Sequence, residues 1–176
     1  MLEDSVIRWT ARLAVVCYVG RLCCDARGRR DDVQRAGCWM WTLGFGFYLL
    51  HVTAAFQFLH EWSHAAAYEH VRLRSLNDIG WDSGFGIYVN YGFTLLWAMD
   101  VFLWWRRPDR PQSSLHYWII QFAFGFMMFQ ATIVFGPRFW LPVCGAVILL
   151  LVRIRRNRFA TDFAGRNARD ALYGDD

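Results

Sequence analysis

Residues 38–59 read CWMWTLGFGFYLLHVTAAFQFL, 22 positions without a formal charge. A helix rises 1.5 Å per residue, so a run of this length crosses a hydrocarbon core of about 30 Å. Three further apolar runs follow. Residues 83–99 hold no charge and continue as 101–105 past a lone Asp100. Residues 115–135 are uncharged, and 139–152 become long enough with Phe135 and the Arg153 boundary included. The spacing predicts four spanning helices, at about 38–64, 83–105, 115–135 and 138–153. Gly136-Pro137-Arg138 would close the last two into a tight hairpin.

The N-terminal segment, about 7–24, is shorter in apolar length, with only Leu13 to Gly20 between Arg12 and Arg21. Arg8 and Arg12 share a helical face and can snorkel to one surface while Arg21 reaches the other. We read it as a short fifth span, with an interfacial helix as the alternative. Glu3 and Asp4 do not suit the basic start of a secretory signal. The expected architecture is an all-α integral membrane protein, a single helical domain over 1–158 with a polar cytoplasmic tail over 159–176.

Composition agrees. The 176 residues are 56% hydrophobic and 18% aromatic, which excludes a disordered chain and does not suit a soluble domain. All 19 basic residues are arginine, so no lysine chemistry is available. The net charge of +4 comes from arginines beside the apolar runs, which points to anionic headgroups; no nucleic-acid motif is present. Cys17, Cys23, Cys24, Cys38 and Cys144 form no zinc pattern and read as reduced packing residues.

Arginine placement sets the orientation. The loop holding Arg27, Arg29, Arg30 and Arg35, the loop holding Arg106, Arg107 and Arg110, and the tail share one side. Only Arg72, Arg74 and Arg138, with Arg8 if the first segment spans, fall on the other. The rich side is cytoplasmic, in a bacterial inner membrane, and residues 61–82 face outward. Trp39, Trp41, Trp104, Trp105, Trp118 and Trp140 lie near helix ends and read as an interfacial belt. Asp100 needs a partner at membrane depth, and Arg107 or the interface is the nearest.

One region carries chemistry. Residues 60–70 read HEWSHAAAYEH and hold three of the five histidines and two of the three glutamates. His60 to His64 matches H-E-x-x-H, in which two imidazoles one helical turn apart grip a metal ion. Glu61 would then take a proton from metal-bound water. On an unbroken helix His70 would point about 80° from His60, away from His64. The metal-ligand candidates are His60, His64, His70 and Glu69, with Glu61 as the base if the site is catalytic. Asp78 and Asp82 are further shell candidates. Zn, Fe or Cu suits such ligands. Haem is not expected within one chain, because His51 and His116 lie at other depths. A polar stripe of Thr53, Gln57, His60, His64 and Tyr68 would face other helices, near Asn90, Gln130 and Thr132.

Over these eleven residues the chain resembles zincin metalloproteases, though Ala67 stands where the metzincin subgroup has glycine. Residues 62–70, WSHAAAYEH, with Tyr88-Val89-Asn90-Tyr91 resemble an uncharacterised family of small bacterial multi-pass membrane proteins, which implies a membrane fold and no activity. The sequence thus points first to transition-metal binding by an outward-facing cluster. The alternatives are a structural or accessory subunit, alone or within a homo-oligomer or larger complex, and a membrane metalloprotease.

Overall fold

The computed structural model describes residues 2–28, 31–106, 115–130 and 140–173. It is all-helical there: α1 (Leu2–Arg27), α2 (Asp31–Leu59), α3 (His64–Ile79), α4 (Gly86–Arg106), α5 (Leu115–Phe129) and α6 (Trp140–Tyr173). Arg29, Arg30, Arg107, Arg110, Thr132 and the expected 136–138 hairpin lie outside the described residues.

Helix α1 runs antiparallel along α2. Near one end His51 bonds Ile7 O at 2.9 Å, and near the other Arg21 lies against Gly37. Gly44 admits this approach, since a Cβ there would sit 3.1 Å from Cys17 and 3.2 Å from Trp97. Helix α4 returns against α2 through Trp41–Asp100 and Tyr48–Thr94. Helix α5 closes the core, placing Phe124 against Trp41, Phe93 and Trp97 at 4.4–4.6 Å between ring centroids. Trp97 and Phe124 are wholly buried.

Two helices, α2 and α4, are long and apolar enough to cross a membrane, and α5 is a shorter apolar helix. Four spans are therefore more than the lengths establish. The expected 38–64 helix stops at Leu59, and residues 64–79 form a separate helix that periodicity did not foretell. Helix α6 continues through Tyr173, so most of the expected tail is helical. Arginine and alanine favour helix there, and Asp162 and Arg166 stand at i,i+4 spacing.

The packing reassigns Arg21, Trp41 and Trp104 and gives Asp100 two partners from neighbouring helices. Arg21 does not snorkel: it is 3% exposed, paired with Asp25 at 3.1 Å and stacked 4.0 Å over the Trp104 ring. Trp41 and Trp104 are core residues rather than belt residues, whereas Trp39, Trp105 and Trp118 are exposed. Asp100 is buried and accepts from Trp41 Nε1 at 2.9 Å and His116 Nε2 at 2.8 Å. All five cysteines are free thiols.

Candidate functional site

The H-E-x-x-H stretch straddles a helix break. Glu61 (φ 47°) and Trp62 (φ 60°) are both left-handed, a conformation that costs a non-glycine residue about 1–2 kcal/mol. Local bonds hold the turn. Trp62 N donates to Phe56 O at 3.0 Å, Ser63 N to His60 O at 2.7 Å, and the Trp62 indole to Gln57 Oε1 at 2.9 Å. Ser63 then caps α3, its hydroxyl accepting from Ala66 N at 3.2 Å. A serine before a run of alanines is the sequence signal that could have revealed this start. Gly80 (φ 72°) ends α3, its N–H bonding Leu76 O while Trp81 N bonds Ser75 O.

The break redistributes the predicted ligands. His60 and His64 no longer share a helical face. His60 is buried and meets His70 edge-on, ring centroids 5.1 Å apart, with Phe56 on another side at 5.7 Å. His64 turns to α4, where Nδ1 lies 3.0 Å from the Tyr91 hydroxyl. Glu69 is bound by Arg72 through contacts of 2.6 and 2.8 Å, and Arg72 also binds Asp82. Asp78 pairs with Arg74 at 2.6 Å. The carboxylates expected to complete a metal shell are therefore held by arginine. Glu61 is exposed on the turn and makes no ion pair among the described residues. Among the described residues no three His, Cys, Asp or Glu side chains converge as a metal cage requires.

The electrostatics follow from these contacts. Burial lowers the His60 pKa below the ordinary histidine value, and the neighbouring His70 lowers it further against an opposing bond at Leu59. Hydrogen bonds from Arg72 hold Glu69 below the usual carboxylate range, and Glu69 and Asp82 raise Arg72 in return.

Beneath the turn, α2, α3 and α4 enclose a cleft of about 130 Å³ lined by Tyr48, His51, His60, Ala67, Asn90 and Tyr91. His51 also ties α2 to α1 through Ile7 O. Nδ1 meets a carbonyl, which only accepts, so that nitrogen carries the proton. On a continuous helix His51 and His60 would lie on opposite faces; the end of α2 at Leu59 lets both line one cleft.

A second polar cluster, toward the arginine-rich end, was visible in sequence only as the isolated Asp100. Asp25 joins Arg21 to α5, accepting from the Tyr117 hydroxyl at 3.4 Å, and Tyr18 donates to Gln121 Oε1 at 3.3 Å. No protein-family model, characterised protein or solved structure shows significant similarity to the chain.

Proposed function

We propose that the chain is a multi-pass membrane protein whose outward face binds a transition-metal ion through His60 and His70. The carrying observation is the contact of these two rings, 5.1 Å between centroids, across the break that separates His60 from α2. A metal needs a neutral imidazole, and the lowered pKa of His60 keeps that ring unprotonated at neutral pH. Two protein ligands leave the remaining positions to water or a small ligand, within reach of the cleft His60 lines. Zn or Cu suits such a pair.

The membrane reading is supported by where the apolar side chains point. Only 11% of the apolar stretch of α2 and 22% of that of α4 is buried, the reverse of a soluble core helix. Helix α1 lies along α2 over most of its length, which favours a fifth span over an interfacial helix. The arginine-rich ends face the cytoplasm of a bacterial cell, with α3 outside.

Protein purified without a histidine tag and titrated calorimetrically with Zn²⁺ or Cu²⁺ tests the site. His60→Ala and His70→Ala each remove stoichiometric binding, whereas His64→Ala retains it. Equal loss in His64→Ala would restore the single-helix H-E-x-x-H arrangement. Absence of binding in the parent leaves an accessory subunit, a reading that the arginine-bound Glu69, Asp78 and Asp82 favour.

A further inference from the structure

We propose that a groove among α1, α5 and α6 at the arginine-rich end is a binding site for an anionic phospholipid, with Arg155 and Gln121 holding its phosphate. This goes beyond the metal site and rests only on the membrane reading. The groove encloses about 360 Å³. Leu22, Trp118, Ile148 and Leu151 give it apolar walls, and Trp118 and Ile148 are each 60% exposed, so it opens sideways toward the bilayer.

The polar end offers donors. Asp25 is offset by Arg21 at 3.1 Å and accepts from Tyr117, so its charge is already met. The carbonyl oxygen of Gln121 is taken by Tyr18, which leaves its amide N–H groups to donate. Arg155 lines the groove with no carboxylate bonded to it among the described residues. One turn on, Arg158 packs over Gly28, so α6 presents two cations along the face that meets α1. An apolar slot ending in a guanidinium and an amide donor matches a phosphate diester with acyl chains. Free phosphate would use the donors and leave the slot empty.

The test is native mass spectrometry of the full chain in detergent with added phosphatidylglycerol, phosphatidylcholine or inorganic phosphate. The parent retains one phosphatidylglycerol in preference to phosphatidylcholine. An Arg155→Ala/Gln121→Leu variant binds it about five-fold more weakly. Arg156→Ala keeps it, and Arg155→Lys keeps most, which separates loss of charge from loss of fold. Unchanged retention in the double variant, equal retention of phosphatidylcholine, or displacement by inorganic phosphate overturns the proposal. Recovery of the chain in alkaline-washed membranes checks the membrane reading separately.

Discussion

Asp100 shows how one side chain fixes three helices. Each carboxylate oxygen has its own donor, the Trp41 indole from α2 and the His116 imidazole from α5. Asp100→Ala leaves both donors without an acceptor and is expected to cost about 3 kcal/mol. Asp100→Asn keeps one acceptor and turns an N–H toward the other donor, a loss of about 1–2 kcal/mol. Denaturant unfolding in detergent measures both, and a parent-like Asp100→Ala variant removes the pair from the account of stability. The sequence announced that Asp100 needed a partner. It could not name that partner, because which residues of α2 and α5 face α4 depends on how those helices are rotated. Arg21 was misread in part for the same reason, since Trp104 reaches it only once α1 and α4 pack, although Asp25, four residues on in the same helix, was already within its reach. At His60 the lowered pKa has a direct consequence. The folded state resists protonation, so stability is complete above the ordinary histidine value of 6.5 and falls as pH drops toward the lowered one. Thermal unfolding followed between pH 7 and 5 shows this loss in the parent and less of it in His60→Gln.

At the scale of elements, the decisive event is the end of α2. Uncharged apolar length located α4 within three residues at either end, because length without charge is a strong signal, but found only the body of α2, which begins seven residues earlier and ends five sooner than expected. It passed over residues 60–63 because nothing there is a glycine or proline. The left-handed pair is held by the bonds of Trp62 and Ser63, which composition does not display. Close approach is recorded at single glycines, Gly44 between α1 and α4 and Gly84 against α3. Gly84 is buried, and a Cβ there would lie 2.6 Å from the Tyr68 carbonyl oxygen, a backbone atom that cannot swing aside. Gly84→Ala is therefore expected to push α3 from α4 and cost about 1–3 kcal/mol. Gly92→Ala, where a methyl meets nothing within 4 Å, serves as the control and leaves the unfolding midpoint unchanged or slightly raised.

At the scale of the whole molecule, the proposed membrane setting shifts the balance of forces: hydrophobic transfer contributes little between helices in lipid, and ring packing and buried hydrogen bonds would carry more of the fold. Aromatic pairs contribute about 0.5–1.5 kcal/mol each, and Tyr18, Trp41, Phe93, Trp97 and Phe124 form a connected set of them. The arginine count yields an orientation without any knowledge of packing, and that orientation is open to direct test. Alkaline phosphatase fused after Ile79 is expected to be active and a fluorescent protein fused at the C-terminus to fluoresce; the opposite pattern inverts the topology. His60 and His70 were both legible as candidate ligands; that their rings meet while His64 turns to α4 was not, because it depends on the bend at residues 60–63.

The position of the ring cluster has a last consequence. It fills the middle of the bundle between the histidine cleft and the Asp100 layer, with Trp97 and Phe124 sealed from any surface. The rings thus form a plug between the two polar clusters. A metal held by the proposed histidine pair would therefore act on the far end of the bundle through a tilt of α2 against α4, which the Asp100 contacts would feel first.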